Sequence, residues 1–363
     1  MDPRIRRHAE IIVDHSVKVE KGDTVQVAAP AVAEDLVVAL YEQLGERGAK
    51  PSLSMRSSRA DRAFLRACDT DDFELHEHSM AEMEETDAVI IVKGSENAAE
   101  TSDVPPEKVA ARTSANAPIQ RERMGKRWVG TQFPAPGEAQ LAEMRTSSYE
   151  EFVYGAMNKD WDEQREFQRQ MVEILDPADE MRIVSGDTTD LTMSISGMKT
   201  INDYGEKNLP GGEVFTAPVP DSVKGEVLFD KPVMRQGREI EGAWLRFEGG
   251  EVVEHNAEKN EDVLVGVLDT DEGARRLGEL GIGMNRDIDR FSYNMLFDEK
   301  MGDTIHLAIG KAIRETVPEE RPYNESAAHL DMIVDMSENS FIEVDGEIVQ
   351  RDGTFRFEDN FDE

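Results

Sequence analysis

The chain is short of cysteine, of positive charge and of long apolar runs. A single cysteine, Cys68, excludes an internal disulfide framework and suits a reducing interior. No run reaches the roughly 18 apolar residues that a membrane-spanning helix needs. The first residues, Met1 to Arg7, lead into an amphipathic stretch and contain no signal-peptide core. A cytoplasmic location is therefore expected. Also missing are a Gly-x-Ser-x-Gly elbow, a Walker loop and a glycine-rich dinucleotide fingerprint after the first strand. Those absences argue against serine-hydrolase, nucleotide-hydrolysing and nicotinamide chemistry.

Acid is what the sequence has in excess. There are 76 acidic against 41 basic residues, a formal net charge of -35. The acids are interleaved with periodic apolar positions, which argues against disorder. Adaptation to molar salt fits better, because the Debye length there falls to about 3 Å and like surface charges stop repelling. Arginine outnumbers lysine by 27 to 14. The same field repels nucleic acid and anionic lipid, and it concentrates cations near any metal site.

With 363 residues, two domains are expected, and the pattern changes near residue 178. Residues 1–177 read as alternating strands and helices, an α/β domain with a parallel sheet. Its strands are expected at Asp23–Ala29, Pro51–Met55, Ala88–Val92 and Trp128–Pro134, with Gly48 closing the helix that follows the first. Ser147 and Glu150 have capping-box spacing, and a further helix is expected from Asp162 to Leu175. Residues 178–363 alternate with period two and read as a strand-rich α+β domain. Turns at Gly249-Gly250 and Asp345-Gly346 signal hairpins.

Seven histidines are present. His8, His15, His76 and His78 read as solvated surface groups, and His255 ends a hairpin strand without obvious partners. His306 follows a carboxylate-rich stretch. His329 and Asp331 are two apart on an apolar strand, so they share a face and could grip one ion. Imidazole with carboxylate suits Zn, Co or Mn. Glu213 follows two glycines that let the backbone pass close to another group. Glu279, between Gly278 and Gly281, reads as part of a helix end.

Taken in order, several segments resemble the aminopeptidase T family of metallopeptidases and its leucyl aminopeptidase relatives, in a haloarchaeal-type version. They are Asn208-Leu-Pro-Gly-Gly-Glu-Val-Phe-Thr-Ala-Pro218, Gly273-Ala-Arg-Arg-Leu-Gly-Glu279, Tyr293-Asn-Met-Leu-Phe-Asp-Glu299, His306-Leu-Ala-Ile-Gly310 and His329-Leu-Asp331. Arg127-Trp128 and Asp187-Thr-Thr-Asp-Leu-Thr192 add a weaker likeness. The resemblance implies a homodimeric, two-domain exopeptidase whose C-terminal domain is built around a mixed, barrel-like sheet. It implies two divalent cations held by Glu213, Glu279, Glu299, His306, His329 and Asp331, with Glu213 or Glu279 moving the proton. Peptides with a free N-terminus would be the substrates. Two departures stand out: the connection from Glu299 to His306 is longer than in well-known members, and Ile313 replaces a tyrosine. Were residues 306–313 helical, that tyrosine would share a face with His306. Tyr293 or Tyr323 could substitute for it. The alternative is a metal-binding relative with lost or altered activity.

Overall fold

The computed structural model describes residues 1–235 and 237–361. They form two compact units: residues 1–159 with 205–211, and residues 160–204 with 212–361 among those described. The units thus part at Lys159, before the helix Trp161–Leu175, where the sequence pattern put the change near residue 178. That helix is amphipathic like its predecessors, so periodicity alone could not assign it.

In the first unit a five-stranded sheet runs in the order Lys50–Arg56, Thr24–Pro30, Ala88–Lys93, Arg127–Gln132, Asn208–Leu209. Every pairing is parallel. Parallel neighbours need crossovers, and helices supply them. Helix Glu34–Arg47 buries Leu36, Leu40 and Leu44 and ends at Gly48, whose φ of 69° is the left-handed cap expected there. The Arg127–Gln132 strand is not the sheet's edge. The two-residue strand Asn208–Leu209 returns from later in the chain to pair with it.

Two local expectations fail. Helix Thr146–Met157 starts at Arg145 without a side-chain cap, so Ser147 lies inside it and no capping box forms. His8 is fully buried on helix Pro3–Ile11, where Thr131 Oγ1 lies 2.8 Å from its Nε2. Burial pushes its imidazole down to about 3, so it stays neutral.

The second unit carries three sheets, all antiparallel, of eight, five and two strands. A mixed sheet is therefore not what the described residues form. Both expected hairpins are present, Ala243–Glu248 with Glu251–Asn256 and Ser340–Val344 with Glu347–Arg351. Alternation drives the apolar face of each large sheet inward. Met181, Ile183, Val227 and Leu245 from the eight-stranded sheet join Leu280, Ile282, Leu307 and Met332 from the five-stranded sheet in one core. Each such side chain contributes about 1.5–3 kcal/mol by leaving water. No helix among the described residues is long and apolar enough to cross a membrane.

Candidate metal centre

The five-stranded sheet has two unlike faces. Its order is His329–Asp335, Thr304–Gly310, Leu277–Gly283, Glu213–Thr216, Ile201–Asp203. Successive side chains alternate across a sheet. Leu280, Ile282, Ile305, Leu307, Ile309, Leu330, Met332 and Val334 turn to the core. The remaining positions hold His329, Asp331, His306, Glu279 and Glu213, interleaved with Ala308, Gly281 and Gly283. Register puts a small residue beside each large donor. His306 faces Gly281, Glu213 faces Gly283, His329 faces Gly310, and Ala308 lies between Glu279 and Asp331. A Cβ at Gly281 would overlap the His306 ring, 1.9 Å from its Cε1.

Glu279 is thus a strand residue, not the end of a helix. The short 3-10 turn Glu272–Arg275 precedes it, and the ladder shifts register between Leu277 and Glu279. Such a bulge re-aims the side chain that follows. Glu213 enters its strand from Gly212, whose φ of 117° and contact with Asn285 leave no room for a side chain.

These strands bring five of the six expected donors together. Ligand atoms of Glu213, Glu279 and His306 lie within 4.8 Å of one another, and so do those of Glu279, His329 and Asp331. Glu279 belongs to both groups. Its Oε1 is 3.6 Å from His306 Nε2 and its Oε2 is 3.7 Å from His329 Nε2. His306 Nε2 lies 3.3 Å from Glu213 Oε2, and His329 Nε2 lies 3.4 Å from Asp331 Oδ1. The sixth residue, Glu299, is in neither group. Its carboxylate pairs with Lys300, and its backbone carbonyl accepts from His306 Nδ1 at 2.9 Å.

Those carbonyl contacts fix the imidazoles. His306 Nδ1 donates to Glu299 O and His329 Nδ1 donates to Lys311 O, each at 2.9 Å. The Nε2 atoms are then left facing the carboxylates, in the arrangement usual for metal-ligating histidines.

Lys300 is a residue in contact with the cluster that sequence reasoning missed. It is fully buried, 3.1 Å from Glu213 Oε1 and 4.0 Å from Asp203 Oδ2, and it also pairs with Glu299. Gln168 is another: its Nε2 donates to the Glu213 carbonyl at 2.9 Å and to Asn202 Oδ1 at 2.7 Å. Gln164 braces Gln168 from one turn earlier, at 2.8 Å. Their i, i+4 spacing was the only available signal. Nothing local distinguished Lys300 from a surface lysine.

Burial raises the Glu213 carboxyl to about 8, against the pull of Lys300. Burial also raises Glu279. Burial opposes charge on His306, but Glu279, Glu213 and Asp331 bring it up to about 10. His329 reaches about 9 for the same reason, through Asp331 and Glu279. Protons thus occupy the positive positions of this cluster, and a cation would compete with them. A divalent cation fits the donor set. Both groups combine carboxylate with an Nε2-presenting imidazole, and the buried Glu213 Oε2 has no hydrogen-bond partner.

The hydroxyls of the two tyrosines that could substitute have carboxylate partners outside the cluster. The Tyr323 hydroxyl donates to Glu325 at 2.7 Å, and that of Tyr293 bonds Glu239. Residues 304–310 form a strand, so Ile313 shares no helical face with His306. It instead flanks the 3-10 turn Arg314–Thr316.

The chain is 30% identical to aminopeptidase T of Thermus aquaticus, covering 96% of this chain and 95% of that one. The solved structure of wild-type AmpT from Thermus thermophilus superposes with a TM-score of 0.87 at 27% identity, over 98% of this chain and 99% of that one. A 2,5-dihydroxypyridine dioxygenase from Pseudomonas putida KT2440 also superposes, with a TM-score of 0.60 at 14% identity over 99% of each chain. That last likeness concerns fold alone, so the fold does not decide the chemistry. The model of the M29 family, thermophilic metalloproteases, matches residues 1–355, and the chain belongs to that family.

Proposed function

We infer that the chain is a metal-dependent aminopeptidase, a hydrolase that releases N-terminal amino acids from peptides. The observation that carries this reading is the pair of three-residue groups sharing Glu279, in a chain whose full-length relatives are named aminopeptidases. Those relatives do not favour the alternative of an inactive metal-binding protein.

Two divalent cations (Zn, Co or Mn) are proposed, one with Glu213, Glu279 and His306, the other with Glu279, His329 and Asp331. When bound, such a pair supplies Lewis-acid polarisation of the scissile carbonyl and an acidified water, with a pKa near ~7. The rest falls to the chain. Lys300 holds Glu213 Oε1, leaving Oε2 to face the reacting groups. A proton from the attacking water passes through Glu213 or Glu279 to the leaving amine. Glu279, with an oxygen toward each histidine, keeps the two groups in register. Glu299 orients His306 through its carbonyl, and its carboxylate reaches the site through Lys300. The second unit is proposed as the catalytic domain. A cytoplasmic, salt-adapted setting completes the reading, motivated by the lone cysteine and the net charge of -35, and a homodimer is proposed from the family resemblance alone.

The test is an aminoacyl-chromogen assay of chelated protein at high salt, with Co, Zn and Mn restored one at a time. Activity is expected to return with a cation. In Glu279→Gln, turnover should fall by more than ~100-fold, since even residues one shell further out cost about 10–100-fold. Cation-independent turnover, or full activity of that variant, overturns the assignment.

A further inference from the structure

The parallel sheet of the first unit also has unequal faces. Val25, Val27, Ala29, Ile90 and Val92 are fully buried on one side. On the other, Gln26 pairs with Val89 and Ala28 with Ile91. These residues floor a cavity of about 510 Å³. Helices Ser58–Ala67, Glu77–Glu84, Pro106–Ala115 and Ala117–Met124 roof it, contributing Leu65, Met83, Val109 and Ile119. The volume is that of a small-molecule site.

Two guanidiniums line the cavity, Arg56 and Arg123. Among the described residues neither has a carboxylate within ion-pair reach. Some other arginines of this unit do: Arg4 with Asp2, Arg47 with Asp14, Arg127 with Asp23. A third lining arginine, Arg112, is matched by Asp61 at 3.0 Å. Arg56 donates to the Val92 carbonyl at 2.7 Å, which neutralises nothing. The Nε of Arg123 is buried without any hydrogen-bond partner. Burial, and then the charge of Arg56, hold the Arg123 guanidinium below its usual range. Unpaired charge in a half-buried site is costly. It is stranger still in a chain with 76 acids to choose from. A smaller cavity of about 110 Å³, at the strand ends near Pro30 and Gly94, shares Arg56.

We propose that this cavity binds a small organic anion, with a phosphate or carboxylate headgroup held between Arg56 and Arg123 and an apolar body against Leu65, Val89 and Ile119. Two positive groups supply the headgroup's charge and fork geometry. The apolar roof supplies the selection for a body. The site lies wholly within the first unit, and it uses none of the metal-binding groups.

The experiment titrates the full, cation-loaded protein with phenyl phosphate, phenylacetate and inorganic phosphate, read by calorimetry and by thermal midpoint. One of the two organic anions is expected to saturate and raise the midpoint, and which one does identifies the headgroup. Inorganic phosphate, lacking a body, should bind at least roughly tenfold more weakly. Arg123→Met should weaken binding by roughly tenfold or more while peptide turnover without the anion is unchanged. Ala28→Leu keeps both charges but fills the space, and it too should abolish binding. Failure of both organic anions to saturate by about 10 mM overturns the site. So does undiminished affinity in either variant.

Discussion

Lys300 shows how one side chain can set the electrostatics of a whole site. It is fully buried among Glu213, Glu299 and Asp203. Desolvation works against its charge, yet those carboxylates hold its pKa above the usual lysine value. Removing it strands the carboxylates, a loss worth about 3–5 kcal/mol for a broken buried pair. Lys300→Met should therefore lower the melting temperature of chelated protein sharply. Added cation should recover part of the loss, because it brings positive charge to the same oxygens. Melting curves with and without chelator check this, and an equal drop in both would show that the cation does not share that duty. This residue was invisible in the sequence, where it is one lysine in an ordinary Asp298-Glu-Lys300 run. His8 misled in the opposite direction. A histidine on an amphipathic helix reads as solvated, but Ile5, Ala9 and Ile11 share its buried environment.

At the scale of the strand, donors alternate with core residues while small residues clear the space beside them. Gly281 lies opposite His306, and any Cβ there overlaps the imidazole. Gly281→Ala should keep the secondary structure and lose bound cation, as measured by circular dichroism and metal analysis. Gly45→Ala is the control. It lies in helix Glu34–Arg47 with nothing near its would-be Cβ, and it should be neutral or stabilising by about 0.5–1 kcal/mol. A variant at Gly281 that retains full cation content would remove the clearance argument. These same glycines hid the strand. Glu279-Leu-Gly-Ile-Gly283 alternates with period two, but the bulge after Leu277 interrupts the pattern, and glycine carries no hydropathy signal and suggests a cap. The His329 strand was legible because Leu330, Met332 and Val334 mark its core face without interruption.

For the whole molecule, charge is the governing quantity. A net of -35 repels itself across the surface once screening weakens. Lowering salt from about 1 M to 0.1 M stretches the Debye length from about 3 to 10 Å. The unfolding midpoint should fall accordingly, as a denaturant series at several NaCl concentrations will measure. A midpoint that rises on dilution would mean the many surface ion pairs, such as Arg182–Asp190 and Arg238–Asp262, outweigh the repulsion. The parallel sheet of the first unit was readable because each buried strand is a short apolar run between helical stretches. Where the units divide was not. Residues 205–211 return to the first unit, and such a crossing leaves no trace in local composition. The convergence of distant donors was legible only through ordered segments shared with a family.

One consequence follows from the donors standing on paired strands instead of loops. Side chains rooted in a continuous ladder cannot drift apart unless rungs break, since neighbouring strands keep a spacing of about 4.8 Å. The scaffold is a fixed jaw. Under the proposed assignment, a swap between ions of different radius would have to be absorbed by torsions of Glu213, Glu279 and Asp331, whose carboxylates can rock. Tolerance toward several ions of similar size, with sharp rejection of much larger ones, is the behaviour such a jaw imposes.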